Sequence, residues 1–98
     1  MLIQYCRNKQ RQKYGVVVAV ESDGIVKIGW SLCNTRLDIF DKKEGVQLAI
    51  DRANNFHNIE FPLYNDFPLY DTNLPNTIHE MKIRAARYYK QAKVIYSP

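Results

Sequence analysis

Apolar and polar residues change their spacing along the chain, and the change divides it into strands and helices. A short apolar run at residues 2–6 predicts a first strand, and a basic connection follows it. Residues 14–20 are rich in β-branched side chains, which predicts a strand with both faces partly buried. An Asp-Gly turn at residues 23–24 then leads into a second apolar run. We therefore predict a β-hairpin over residues 14–30.

Helical spacing replaces the strand pattern after residue 40. Asp41 is a typical helix N-cap, and Glu44, three residues later, completes a capping box. The apolar residues that follow are spaced as on one face of an amphipathic helix; they are Val46, Ala49, Ile50 and Ala53. This pattern predicts a helix over about residues 42–55.

A second helix is predicted over about residues 77–95. Thr77 and Glu80 form another capping box, directly after Pro75. The apolar residues of this segment fall on one arc of a helical wheel, and Tyr88 and Tyr89 belong to that arc. Its basic residues occupy the rest of the wheel, and they are Lys82, Arg84, Arg87, Lys90 and Lys93. We expect the helix to pack across the sheet with a basic outer face.

A tandem Phe-Pro-Leu-Tyr repeat, at residues 61–64 and 67–70, lies between the predicted helices. Each proline favours an extended conformation for the residue before it and disfavours helix, so residues 58–75 predict a loop. Two interpretations stay open. The loop covers a small core with its Phe and Leu side chains, or it forms an exposed aromatic arm that contacts a second subunit or a partner.

These elements predict a single α+β domain over residues 1–98, with a small antiparallel β-sheet of two or three strands. Both helices are expected on one face of that sheet. A sheet this small leaves a face or an edge uncovered, and self-association covers it, so we expect a homo-oligomer. No apolar run is long enough to span a membrane and no signal peptide is recognisable, which predicts a cytoplasmic protein without a membrane partner.

The net charge of +4 is unevenly distributed. The first fourteen residues include four basic residues and no acidic one. After Thr77 the chain carries several basic residues and a single acidic one, Glu80. One interpretation is two solvated surfaces. Another is a surface that binds phosphate, a nucleotide or nucleic acid, and an acidic partner protein is equally allowed.

The polar segment after the hairpin contains the best candidate ligand contacts. Ser31 and Asn34 offer short donors and acceptors, and Arg36 offers a guanidinium fork that suits phosphate or carboxylate. The alternative is local, because Ser and Asn commonly bond the backbone of their own turn. The predicted ligand-binding residues are Ser31, Asn34, Arg36, Arg84, Arg87 and Lys90.

The motifs of the chain do not predict catalysis, a metal or a cofactor. Cys6 and Cys33 are expected to be free thiols in a reducing cytoplasm. His57 and His79 have no metal-ligand spacing with either cysteine. A small Cys-dependent enzyme stays the least favoured alternative, because it needs Cys33 beside one of the two histidines.

Several segments carry a family resemblance. They are Gly-Val-Val-Val-Ala at residues 15–19, Ile-Gly-Trp-Ser-Leu-Cys-Asn at 28–34, Phe-Asp-Lys-Lys at 40–43, Ala-Ile-Asp-Arg-Ala at 49–53 and Leu-Pro-Asn-Thr-Ile at 74–78. With them, most of residues 15–92 resembles a family of small, largely uncharacterised bacteriophage proteins. The Phe-Pro-Leu-Tyr repeat is not part of that pattern.

This resemblance implies a setting, because small phage proteins without enzyme motifs commonly act by binding. We expect a non-enzymatic phage accessory protein that counters host defence in the cytoplasm of the infected bacterium. It would sequester an anionic nucleotide signal or inhibit a host defence protein. The alternative is a nucleic-acid-binding modulator of host or phage transactions.

Overall fold

A computed structural model describes most of the chain outside the proline-rich repeat. The residues that it describes are 1–7, 10–33, 39–55, 74–90 and 93–96. They form, in chain order, β1 (Leu2–Arg7), β2 (Lys13–Ser22), β3 (Ile25–Leu32), α1 (Lys42–Asn55), α2 (Leu74–Tyr88) and β4 (Lys93–Tyr96). The α+β class is confirmed. The predicted loop at residues 58–75 lies almost wholly outside the described residues.

The strands form one four-stranded sheet in the order β1-β2-β3-β4. β1 and β3 both pair antiparallel with β2, and β4 pairs parallel with β3. Asp23 and Gly24 join β2 to β3 with φ angles of 53° and 77°, as a tight hairpin turn requires. The hairpin and the first strand are confirmed, but the sheet is mixed and has four strands instead of the two or three predicted.

The two helices lie on opposite faces of the sheet, so the prediction that both pack on one face is wrong. Val16 and Val18 of β2 cluster with Ala49 and Ala53 of α1. Val17, which lies between Val16 and Val18 in sequence, belongs instead to the cluster with α2. Successive strand residues point to opposite faces. The β-branched run of β2 therefore needs a helix on each side.

α1 approaches the sheet closely at Gly29 of β3. A Cβ atom on Gly29 would lie 2.2 Å from the carbonyl oxygen of Ala49 and 2.6 Å from the amide nitrogen of Ala53. Only a glycine leaves room for the helix backbone at this distance from the strand. Arg52 adds a polar contact, since its Nη1 donates to the carbonyl oxygen of Trp30 at 3.2 Å.

α2 begins and ends earlier than the helix predicted over about residues 77–95. Leu74 starts the helix and Tyr88 ends it, so Thr77 lies in the first turn rather than at the N-cap. Thr77 is buried, and its side chain bonds the thiol of Cys6. The end of the predicted helix is the strand β4, whose first residue, Lys93, donates its amide to the carbonyl of Gly24 at 2.9 Å.

The prediction for α1 is confirmed at both ends. The helix spans Lys42–Asn55, and Asp41 is its N-cap. Oδ1 of Asp41 accepts the amides of Lys43 at 2.9 Å and Glu44 at 3.1 Å. In the described parts of the chain, no helix is long and apolar enough to cross a membrane.

Candidate functional site: two grooves beside the edge strand

Ser31 points into the interface between the sheet and α1. It is 2% exposed, and its Oγ donates to the carbonyl oxygen of Gly45 at 2.7 Å. This bond joins β3 to the first turn of α1, which accounts for the hydroxyl without a ligand. Asn34 and Arg36, which were predicted to act with Ser31, lie outside the described residues.

The predicted basic contacts lie on the other face of the sheet. Arg84 and Arg87 belong to α2, and Lys90 follows the end of that helix. All three are exposed. The sheet separates Arg84 and Arg87 from Ser31, so the structure does not bring these predicted residues into one site.

An open groove lies between α2 and the start of β1. We call it the α2 groove; it encloses about 320 Å³, and its lining residues are Leu2, Arg84, Arg87 and Tyr88. Leu2 provides an apolar wall, and the two arginines lie one helical turn apart on α2. The groove therefore combines cationic, aromatic and apolar surface.

Gln4 of β1 holds one of these arginines in place. Its Nε2 donates to Oε2 of Glu80 at 2.7 Å, and its Oε1 accepts from Nη1 of Arg84 at 2.9 Å. The Glu80 bond fixes the orientation of the Gln4 amide, which fixes the direction of the Arg84 guanidinium. Sequence reasoning missed Gln4, since a single polar residue in an edge strand carries no signal of its tertiary partners.

Arg87 and Tyr88 are the lining residues of the α2 groove that are most available to a ligand. The guanidinium of Arg87 makes no hydrogen bond or ion pair with any other residue that the structure describes. Tyr88 is 68% exposed, although the helical wheel placed it on the apolar arc. Tyr89 is the packed member of the pair, and its ring supports Tyr88 edge-on at a centroid distance of 4.8 Å.

A second groove lies on the opposite face, between β1 and the first turns of α1. We call it the α1 groove; it encloses about 560 Å³, and its lining residues are Ile3, Tyr5, Asp41, Lys42, Lys43, Val46 and Gln47. Lys13 Nζ lies 4.5 Å from the ring centroid of Tyr5, and Lys42 Nζ lies 5.6 Å from it. Cation–π attraction thus keeps two ammonium groups beside this groove.

The cysteines do not form a nucleophilic site in the described part of the chain. Cys6 is fully buried, and burial raises the pKa of its thiol to about 11, with the Thr77 bond acting in the opposite direction. A thiol of this kind is a poor nucleophile at neutral pH. Cys33 is partly exposed and forms no disulfide with Cys6, and His57 lies outside the described residues.

A metal centre is not visible either. Within the described ranges, no three or more His, Cys, Asp or Glu side chains lie close enough together to hold a metal ion. His79, the described histidine, lies exposed on α2.

Comparison with protein-family models, with curated proteins and with solved structures finds no match to this chain. The resemblance to bacteriophage proteins therefore stays a prediction. Inference about function rests on the two grooves and on the residues that line them.

Proposed function

We propose that the protein is a non-enzymatic binding protein that holds an anionic nucleotide in the α2 groove. The observation that carries the proposal is the fixed guanidinium of Arg84 beside the unengaged guanidinium of Arg87 and the exposed ring of Tyr88. In the phage setting that the sequence favours, such a protein counters host defence by sequestering a nucleotide signal.

The two arginines supply the phosphate contacts. A guanidinium presents donors in a planar fork that matches a phosphate, and charge-assisted bonds of this kind are the strongest hydrogen bonds in proteins. Because Gln4 already orients Arg84, less side-chain entropy is lost when an anion binds. Lys90 adds positive charge near the end of α2 and steers anions toward the groove.

The aromatic and apolar residues supply the contacts for a base. An exposed aromatic ring stacks on any nucleobase through its π-face. Leu2 lies on the same groove and offers apolar contact. The volume of the groove, about 320 Å³, falls at the lower end of the range for ligand pockets, which favours a small nucleotide.

The test is isothermal titration calorimetry of the purified protein against linear and cyclic nucleotides. Arg87→Ala is expected to lower the affinity for the nucleotide by about tenfold or more, since a charge-assisted contact is lost. Lys43→Ala is the matched control, because it removes the same charge from the opposite face and is expected to leave the affinity unchanged. Equal weakening by both variants would show unspecific attraction to net charge.

Two further variants separate the roles of Gln4 and Ser31. Gln4→Ala releases the Arg84 guanidinium and is expected to weaken binding severalfold without removing a charge. Ser31→Ala is expected to leave the affinity unchanged, because its hydroxyl bonds Gly45 inside the fold. If the protein binds none of the nucleotides at about a hundred micromolar, the proposal that it sequesters a nucleotide is wrong.

Single-stranded and double-stranded oligonucleotides belong in the same panel. Binding of an oligonucleotide with a steep dependence on salt, together with no binding of free nucleotides, would favour the nucleic-acid-binding alternative.

A further inference from the structure

The outer backbone edge of β1 and the α1 groove form a second candidate surface, whereas Leu2 and Gln4 of the same strand face the α2 groove. β1 is the first strand in the order of the sheet, so its outer backbone edge pairs with none of the described strands. Ile3 and Tyr5 point to the α1 face of the sheet. α1 packs over β2 and β3 instead, which leaves these two side chains in the wall of the groove.

The groove beside this edge is positively charged. Lys42 and Lys43 line it, and Lys13 reaches it over the ring of Tyr5. The acidic residue in the lining, Asp41, already accepts two backbone amides as the N-cap of α1. Ile3 adds apolar surface to the same lining. The surface therefore complements a chain that carries both acidic and apolar side chains.

Strand geometry determines how such a chain would meet the groove. A segment that pairs with the edge of a sheet sends every second side chain to the same face, and the next ones to the other face. β1 has six residues, which is enough to pair with one short strand. The side chains on the α1 side of that strand would lie against Ile3, Tyr5 and the lysines.

We propose that β1 and the α1 groove bind an extended acidic segment of a partner protein by strand addition. Backbone hydrogen bonds to the β1 edge give affinity, and Lys42 and Lys43 select acidic side chains. The α1 groove lies on the opposite face from Arg84 and Arg87, and the proposal does not rest on nucleotide binding.

A second copy of the chain fits this surface less well. A two-fold interface along β1 presents the same patch from both subunits, so the lysines of one copy would approach those of the other. The expected homo-oligomer would then use another surface.

Fluorescence anisotropy with labelled peptides tests the proposal on the whole chain. The probes are peptides of about eight residues that alternate Glu with Val, in both phases. Peptides with Lys in place of Glu test charge selection. Peptides with the same Glu–Val sequence, N-methylated at alternate residues, test the backbone bonds. We expect the Glu–Val peptide to bind, the Lys–Val peptide not to bind, and N-methylation to weaken binding by about tenfold or more.

Charge reversal locates the site on the molecule. Lys43→Glu is expected to lower the affinity for the Glu–Val peptide by about tenfold or more. The variant should still fold, because an acidic residue in the first turn of α1 favours the helix. Arg87→Glu makes the same change on the opposite face, and for the peptide phase that places Val on the α2 face it is expected to leave peptide binding unchanged. Thermal unfolding of both variants checks that each is folded.

Three outcomes would overturn the proposal. Equal binding of the N-methylated peptide would show attraction by charge alone. Equal weakening by Arg87→Glu would place the peptide elsewhere. Light scattering that shows a dimer from which the peptide is excluded would show that a second copy occupies the edge. Loss of nucleotide binding in Arg87→Ala bears on the α2 groove only, so the two proposals fail separately.

Discussion

The two faces of the sheet are covered by two different kinds of contact. On one face α1 presses small residues against the strand backbone, where Ala49 and Ala53 meet Gly29. On the other face α2 inserts larger side chains, such as Leu74 and Met81, into a cluster with Trp30. Close backbone contact at Gly29 fixes the position of α1 on the sheet, whereas interdigitated side chains fill the space between α2 and the sheet.

This difference also determines where the grooves lie. The close contact at Gly29 holds α1 over β2 and β3 rather than over β1. α2 lies nearer to β1 on the other side, where Arg84 reaches Gln4. The α1 groove thus exists because α1 lies away from the edge strand. The α2 groove exists because polar side chains of α2 reach across to that strand.

The strongest test of the close contact is Gly29→Ala. Its Cβ would overlap with backbone atoms of α1, which cannot move without shifting the whole helix. We expect a loss of more than about 3 kcal/mol in the free energy of unfolding, above the usual range for an overpacked core. Chemical denaturation measures it, and near-wild-type stability would show that α1 is not held against the strand.

Gly45→Ala is the matched control for that substitution. Its Cβ would lie 2.9 Å from Cε1 of Phe40, and an aromatic side chain can rotate away. Alanine also gains up to about 1 kcal/mol in helix propensity over glycine. We therefore expect the stability of Gly45→Ala to stay within about 1 kcal/mol of the wild type.

On the α2 face the corresponding substitution is Met81→Ala. Met81 is fully buried, so its truncation removes apolar contacts and leaves a cavity, with an expected loss of about 3 kcal/mol. Ile83→Ala on the same helix is the control, because Ile83 is 43% exposed, and its expected loss is below about 1 kcal/mol. Equal losses at the two positions would contradict the assignment of the buried face of α2.

The smallest expected effect is a pH dependence that arises from Cys6 on the α2 face. Burial raises the pKa of its thiol from 9.0 to about 11. The unfolded chain therefore loses this proton at lower pH than the folded chain. The contribution of Cys6 to stability is full below about pH 9 and is lost as the pH rises to about 11.

At pH 10 this loss is about 1 kcal/mol for the wild type and absent for Cys6→Ala. Denaturation curves at pH 8 and pH 10 for the two proteins isolate it, since other titrating groups are shared. An identical pH dependence in both proteins would show that Cys6 is not desolvated.

Local sequence signals predicted the elements that depend on local contacts. The Asp23-Gly24 turn marks the hairpin, and Asp41 marks the start of α1. The faces of the sheet were a harder problem, because an amphipathic pattern shows which side of a helix is buried but not which side of the sheet buries it. The valines at residues 16–18 did contain that information, since buried residues of both parities require cover on both faces.

The errors near the end of the chain have a different cause. Residues 93–96 continue the apolar and basic spacing of α2, so helical periodicity extends through them. Their pairing with β3 depends on residues far away in sequence, such as Ile25 opposite Lys93. The α2 groove was predictable only in part for the same reason. Arg84 and Arg87 stand out as basic helix residues, but the bond from Arg84 to Gln4 is purely tertiary.

The parallel pairing of β3 with β4 has a consequence for the order of folding. The β2–β3 hairpin closes a two-residue turn, whereas β4 reaches β3 only after both helices have crossed the sheet. Closure of so long a loop is entropically costly, so we expect this pairing to form late, after the hairpin has formed. Interactions that form after the transition state slow unfolding rather than speed folding. We therefore expect the pairing of β4 with β3 to slow unfolding rather than to speed folding.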